Sequence, residues 1–383
     1  MGPTTMAPRD ALVRISKLLA LSYVIDWVFI VGAALIGYGF SKLTPNHHPF
    51  SLTDPSISYP YTEHETVTMT TLVLAAIIAP AVIILIVSLV LAPGSATAEA
   101  RPSKSQILRR KLWEWNAGWM GLGVALAGVF LATEGLKDLI GKPRPDFLAR
   151  CNPDLAKVAE FTVGGLGQRL QGAPNLVSWE ICRTKTPLVS VDGFSSFPSG
   201  HSSFSFAGLT YLTLWLCAKF AIGFPYLTPF PVEEEEEATN ELSSARRRGA
   251  APPVLFMLVA FVPIATACFI ASSRWFNYRH HGFDILFGSA MGLVFAWIGF
   301  RMYHMPIRRG AGWAWAARSR GRAFFRGFGV PSSLGSDSWS STRAARRDDQ
   351  EEDIDLESAP VPSNGHHPKA SGSSAHGAIG QAL

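Results

Sequence analysis

The stretch "SSRWFNYRHHGFD", residues 272–284, sets Arg274, Arg279, His280, His281 and Asp284 between two apolar runs, Val254 to Ala271 and about Gly282 to Tyr303. An apolar run broken by dense charge and then resumed is the pattern of two membrane spans joined at the water interface. Working outward, four more runs have the same character: Leu18 to Phe40, Thr71 to Ala92, about Trp115 to Leu136, and one that starts just after His201 and ends near Phe220. The runs after His201 and after Gly282 are the weakest, because Ser, Thr and Gly dilute them.

Composition agrees. Of 383 residues, 48% are hydrophobic and 16% charged, whereas a soluble domain carries about a quarter charged residues. A soluble globular protein is therefore set aside. In hydrocarbon the backbone must satisfy its own hydrogen bonds, so the runs are expected to be helices. The predicted fold is all-α: a polytopic, six-transmembrane-helix bundle. Leu18 to Phe40 is too long for the apolar part of a cleaved signal and reads as a retained first span. The start "MGPTTM" has Met6 where a myristoylation site has Ser or Thr.

Lys and Arg in the short loops set the orientation. Arg9, Arg14 and Lys17 precede the first span, Arg101 to Lys111 follow the second, and Arg246 to Arg248 follow the fourth. The loop 41–70 has only Lys42. Both termini are predicted cytosolic, with the loops after spans one, three and five facing the lumen or exterior. The long loop Gly141 to Pro198 is predicted outside despite its seven Lys and Arg, since long loops obey the charge rule weakly. Cys217 and Cys268 fall within spans, whereas Cys151 and Cys182 share that outside loop and are predicted to pair in an oxidising lumen.

The chain divides into a cytosolic segment 1–17, a membrane domain 18–303, a basic aromatic juxtamembrane segment 304–330 and a disordered tail 331–383. Between Arg308 and Arg326, arginines alternate with Trp313, Trp315, Phe324 and Phe325, which suits an anionic leaflet. The run Glu233 to Glu237 belongs to a solvated cytosolic loop, and the tail lacks the apolar content to order itself. No internal repeat is visible.

Three polar patches interrupt the apolar pattern: "KDLIGKPRP" (137–145), "FPSGHSS" (197–203) and the opening stretch. The predicted topology puts all three on the outer face. Lys137, Arg144 and Arg274 supply fixed positive charge, and the arginine fork suits phosphate oxygens. "PSGH" before a helix presents amides to an anion, with Gly200 allowing close approach and Ser199 adding a hydroxyl. His280 and Asp284, spaced i, i+4, are expected on one helical face, the carboxylate fixing the imidazole tautomer. His201 approaches from another patch as a proton donor and acceptor. Lys137 also has Glu134 one turn earlier as a partner, and Asp26 within the first span is either functional or paired. His47–His48 and His366–His367 read as loop and tail residues. No set of histidines and carboxylates has metal-ligand spacing, so no metal is expected.

These residues resemble a known family. Lys137, Arg144 and Pro145 fit K-x6-R-P; Pro198 to His201 is P-S-G-H; Ser273, Arg274, His280 and Asp284 fit S-R-x5-H-x3-D. Together they resemble the three-part signature of the type 2 phosphatidic acid phosphatase superfamily, the lipid phosphate phosphatases. The wording "GKPRPDFLARC", "FPSGHSSFSFAGL" and "YRHHGFD" resembles the fungal diacylglycerol pyrophosphate and phosphatidate phosphatase branch over roughly Leu18 to Tyr303. Asn277 departs from the acidic residue expected before "YRHH" there, which bears on substrate preference. The resemblance implies a nucleophilic His280, an orienting Asp284, His201 as acid then base, and Lys137, Arg144, Ser199, Gly200 and Arg274 on the phosphoryl oxygens, with no cofactor.

The expected activity is hydrolysis of phosphatidic acid, diacylglycerol pyrophosphate and lysophosphatidic acid at the non-cytosolic membrane face. Competing readings are a sphingoid-base phosphate or polyprenyl pyrophosphate phosphatase, and a non-enzymatic anion- or lipid-binding membrane protein. The expected partners are a phospholipid phosphate and the bilayer, with no nucleic acid and no expectation for oligomeric state. Vacuolar, Golgi, endoplasmic reticulum and plasma membranes all fit.

Overall fold

Apolar residues predominate over lengths that suit membrane helices, and the chain coils accordingly. The computed structural model describes residues 17–90, 104–220, 222, 226–227, 249–250, 254–305, 307, 314–315, 317–318 and 335–336. The long helices are α1 (Lys17–Phe40), α2 (Met69–Val90), α3 (Lys104–Ile140), α4 (Gly200–Lys219), α5 (Val254–Phe276) and α6 (Gly282–Tyr303). Residues 1–16, the acidic run 233–237, most of 304–330 and nearly all of the tail lie outside the described residues.

Five of these helices, all but α4, are long and apolar enough to cross a membrane. The exception has a physical reason. Most of the 20 residues of α4 are buried by other helices, so its side chains meet protein where those of α1 and α5 are largely exposed. Ser, Thr and Gly are favoured at such helix contacts because they let backbones approach and supply interhelical hydrogen bonds. Thr133 and Ser203 hydroxyls lie 2.9 Å apart across α3 and α4, and Tyr211 Oη donates to the Gly118 carbonyl at 2.9 Å.

A seam of small residues docks α6. Gly288, Gly292, Ala296 and Gly299 are all buried. A Cβ at Gly292 would lie 2.6 Å from the Ser203 carbonyl oxygen on α4, and one at Gly299 would lie 2.3 Å from that of Gly121 on α3. On the other side of α4, α2 contains one wide turn, Leu74–Ile78, just before Pro80. Pro80 has no N–H to give the Ala76 carbonyl, and that oxygen rests against Gly208 of α4, 1.9 Å from where a Cβ would stand.

Residues 41–68 and 141–199 form a cap at one end of the bundle with its own apolar core. Phe50, Ile57, Phe147, Val177, Ile181, Val189 and Phe194 surround a disulfide between Cys151 and Cys182. The fold is mostly helical as expected, and the cap adds one short antiparallel pair, β1 (Thr162–Gly165) with β2 (Asn175–Val177). Phe50 from the α1–α2 connection exchanges backbone hydrogen bonds with Val177.

The opposite end resolves two sequence readings. Asp26 is paired, its Oδ2 accepting from Arg318 Nη2 at 2.7 Å. The described part of the juxtamembrane segment returns to the helices: the Trp315 carbonyl accepts from Trp113 Nε1 at 2.7 Å, and the Ala314 amide donates to Glu114 Oε1 at 2.8 Å. Ala314 and Ala317 are buried against Leu19, Tyr23 and Met120. Gly335–Ser336 pairs with Ala317–Arg318, so those two tail residues have regular structure.

Candidate active site

The three polar patches meet where the cap joins the bundle. The first is shaped by the end of α3. Gly141 takes a left-handed conformation (φ 58°) and its amide closes the helix on the Lys137 carbonyl at 2.9 Å, the usual glycine helix stop. Lys137 is left on the last turn and Arg144 beyond it. Lys137 Nζ donates to Glu134 Oε1 at 2.6 Å and lies over Gly200, 3.3 Å from where a Cβ would be. Arg144 is buried. It donates from Nε to the Asp192 carbonyl (2.7 Å), from Nη2 to Asp192 Oδ1 (2.8 Å) and from Nη1 to the Arg279 carbonyl (2.9 Å).

The second patch opens α4. Ser199 is its N-cap, with the hydroxyl 2.9 Å from Ser202 Oγ and within reach of the Ser202 amide. Ser199 is therefore turned into the helix start, where its hydroxyl oxygen accepts from an orphan amide, and either hydroxyl of the Ser199–Ser202 pair can be the donor. Gly200 and His201 occupy the first helical positions, whose amides have no intrahelical acceptor. His201 Nε2 is buried and has no hydrogen-bond partner among the described residues.

In the third patch, Arg274 on the last turn of α5 is buried. Its Nε donates to Ser273 Oγ (3.0 Å), Nη2 to the Val67 carbonyl (2.9 Å) and Nη1 to Glu65 Oε2 (2.6 Å). The chain turns through Tyr278, at φ 53°, and enters α6 at His281.

His280 therefore precedes the helix, which corrects the i, i+4 expectation for His280 and Asp284. Asp284 is the third residue of α6 and closes a capping box with His281: its Oδ2 accepts from the His281 amide at 3.2 Å. The carboxylate, fully buried, also holds Lys142 Nζ (2.8 Å), Ser196 Oγ (2.6 Å) and the His281 ring at Nδ1 (3.2 Å). His280 is held instead by Ser196 and Arg144. Nδ1 lies 2.6 Å from the Ser196 carbonyl and Nε2 lies 3.1 Å from Arg144 Nη1. A carbonyl only accepts and a guanidinium only donates. The ring thus carries its proton on Nδ1 and presents the Nε2 lone pair beside Arg144. Burial, reinforced by the Arg144 charge, pushes the His280 imidazole well below its ordinary range and keeps it neutral.

The Arg144 and Lys137 charges act on both His201 and His280. The structure thus gathers Lys137, Arg144, Gly200, His201, Arg274 and His280, with Asp284 one hydrogen bond behind Ser196. Two acids were missed in the sequence. Asp192 binds Arg144, Arg150 and Arg279. Burial alone would raise its carboxyl, but the Arg144 and Arg150 charges hold it well below the usual carboxylate range. Glu65 bridges Arg274 and Arg279. Burial raises its carboxyl too, and the Arg274 hydrogen bond with the Arg279 charge more than offsets this. Among the described residues no three His, Cys, Asp or Glu side chains are grouped to hold a metal ion.

Such a site can bind a multiply charged oxyanion, offer it a neutral imidazole lone pair and keep a second imidazole near. Comparison with known proteins agrees with that chemistry. Diacylglycerol pyrophosphate phosphatase 1 of Saccharomyces cerevisiae is 30% identical over 285 residues, covering 74% of this chain and 80% of the relative. Probable diacylglycerol pyrophosphate phosphatase 1 of Schizosaccharomyces pombe is 28% identical over 286 residues, covering 74% and 81%. Probable lipid phosphate phosphatase 4 of Arabidopsis thaliana is 25% identical over 318 residues, covering 80% and 82%. No solved structure matches the chain. The PAP2 superfamily profile matches residues 117–308, which hold all three patches; the chain belongs to the PAP2 superfamily and is a multi-pass membrane phosphatase.

Proposed function

We propose that the protein hydrolyses lipid phosphates, with phosphatidic acid, diacylglycerol pyrophosphate and lysophosphatidic acid as substrates, on the non-cytosolic face of a six-span bundle whose termini are cytosolic. The observation that carries the reading is the two-sided hold on His280, which leaves the Nε2 lone pair facing the Arg144 guanidinium. Phosphate oxygens replace Nε2 as the acceptor for Arg144 and bring phosphorus to the nitrogen. Nε2 forms the P–N bond as the bond to the leaving oxygen breaks, and His201, an imidazolium once the negative charge of the phosphate is in the site, donates its proton to that oxygen and becomes neutral. Water then attacks phosphorus and gives its proton to His201, the P–N bond breaks, and inorganic phosphate leaves.

Lys137, Arg144 and Arg274, with the amides at Gly200, stabilise the charge on the equatorial oxygens. Ser199 supports them by capping α4. Asp284 acts as a positioning residue through Ser196, with Lys142 and His281 fixing its carboxylate. A headgroup site where helices meet the cap lets the acyl chains stay in the bilayer. The names of the fungal relatives support the pyrophosphate substrate.

The test is phosphate release by purified protein in detergent micelles. The panel is phosphatidic acid, diacylglycerol pyrophosphate, lysophosphatidic acid, a sphingoid-base phosphate and a polyprenyl pyrophosphate, with His280→Ala as control. Turnover of the glycerolipids in excess EDTA, lost in the variant, is the expected result. Preference for the last two lipids, or turnover surviving in His280→Ala, overturns it.

A further inference from the structure

The cations that face the two histidines are already paired with acids: Lys137 with Glu134, Arg144 with Asp192, and Arg274 with Glu65. Glu65 stands apart. It comes from the α1–α2 connection, outside the stretch that carries the three patches, and its carboxylate spans the guanidiniums of Arg274 and Arg279. It also interacts electrostatically with His201, whose Nε2 is buried and without a hydrogen-bond partner among the described residues.

Arg274 does not need Glu65 to stay in place. Ser273 Oγ holds its Nε and the Val67 carbonyl holds its Nη2, which leaves the Nη1 edge to Glu65. The α1–α2 connection has other ties to the turn after α5: Thr66 Oγ1 donates to Asn277 Oδ1 (3.2 Å) and Tyr59 stacks on Tyr278 (4.9 Å between rings). Its side chain is 24% exposed, so the carboxylate borders solvent. A carboxylate and a phosphate compete for the same guanidinium edge.

We infer that Glu65 is an internal competitor for phosphate: its carboxylate occupies the anion position on Arg274 between turnovers, yields it to the incoming phosphoryl group, and retakes it as inorganic phosphate departs. The inference rests on the phosphatase reading above. Inorganic phosphate has the same charged oxygens as the substrate headgroup, and cations that grip both equally retain product without raising the rate. A carboxylate tethered beside the site weakens the hold on both and shortens product residence.

The test uses the full chain in detergent micelles as wild type, Glu65→Gln and Glu65→Asp. Inorganic phosphate is titrated by calorimetry and as a product inhibitor of phosphate release from phosphatidic acid. Glu65→Gln is expected to bind phosphate about tenfold more tightly, the worth of one charge-assisted hydrogen bond, with kcat reduced as release slows. Glu65→Asp, too short to span both arginines, should fall between. An unchanged or weaker phosphate Kd in Glu65→Gln overturns the inference. Should Glu65→Gln fail to give a monodisperse protein, Glu65→Asp decides alone: tighter phosphate supports the inference, equal or weaker binding overturns it. A wild type that binds phosphate yet releases none from any lipid phosphate sinks the phosphatase reading instead, and the binding comparison still decides the role of Glu65.

Discussion

Ser196 holds His280 by its backbone, the carbonyl oxygen 2.6 Å from Nδ1, while the Ser196 hydroxyl lies 2.6 Å from Asp284 Oδ2. One residue thereby links the buried carboxylate to the imidazole. Ser196→Ala keeps the carbonyl but frees it from Asp284. The expected result is a fall in kcat of about a hundredfold, the cost of a small misplacement, with KM little changed because the cations are untouched. His280→Ala should lose about a thousandfold or more. Steady-state kinetics on phosphatidic acid check both, and a Ser196→Ala effect confined to KM contradicts the positioning role.

The charged network around Asp192 makes stability depend on pH with a definite sign. The folded carboxyl of Asp192 is held below its unfolded value. Its contribution is therefore fully present above about pH 4 and is lost as pH falls through the folded value. Glu65 acts in the same direction. His280, also depressed, adds to it, since the unfolded chain binds a proton below about pH 6.5 that the folded chain refuses. Thermal unfolding in detergent should show Asp192→Asn less stable than wild type near neutrality, with the gap closing toward strong acid. A gap that widens as pH falls has the wrong sign for this network.

The signature residues were legible because each patch carries dense charge between apolar runs, and the order of the patches is specific. The helices were legible from their length, with one shortfall. The Ser, Thr and Gly that weaken α4 as a membrane run are the residues that let α2, α3 and α6 approach it. Glu65 and Asp192 were not legible. Glu65 sits in an irregular loop and Asp192 opens a single 3-10 turn, Asp192–Phe194, so neither has a periodicity that marks its side chain as inward, and only the folded cap brings them to the arginines. Asp284 was placed on the right helix with the wrong partner. The sequence spacing suggested a helical turn from His280, whereas α6 begins at Gly282, so the carboxylate caps its own helix and reaches Ser196.

The disulfide bears on the cap more than on the bundle. Cys151 and Cys182 are separated by 31 positions, and both are buried among Phe147, Ile181 and Phe194. A crosslink over that span stabilises by about 3–4 kcal/mol through the unfolded chain. Arg144 and Asp192 both lie in the segment that the cap core anchors, so Cys182→Ser should lower thermal stability and reduce kcat together. Non-reducing gel mobility and free-thiol titration check the bridge. Full stability in the variant means the cap core suffices without it.

Among the described glycines inside helices, Gly208 has the closest neighbour, at the contact of α2 with α4. Pro80 has no amide for the Ala76 carbonyl, and Gly208 leaves the space that oxygen fills. A methyl at residue 208 would stand 1.9 Å from the oxygen, with backbone rather than a flexible side chain in its way. The obstacle is backbone, so Gly208→Ala is expected to push α2 away from α4. The expected cost is about 1–3 kcal/mol, typical of overpacking, read as a lower thermal midpoint in detergent. The catalytic groups come from α3, α4, α5 and the loops, while α2 follows directly on the connection that carries Glu65 and Val67. Displacing it should therefore weaken the hold on Arg274 and raise KM more than it lowers kcat. Gly32, which has nothing within 4 Å of a built Cβ, is the control: Gly32→Ala should leave both the midpoint and KM at wild-type values.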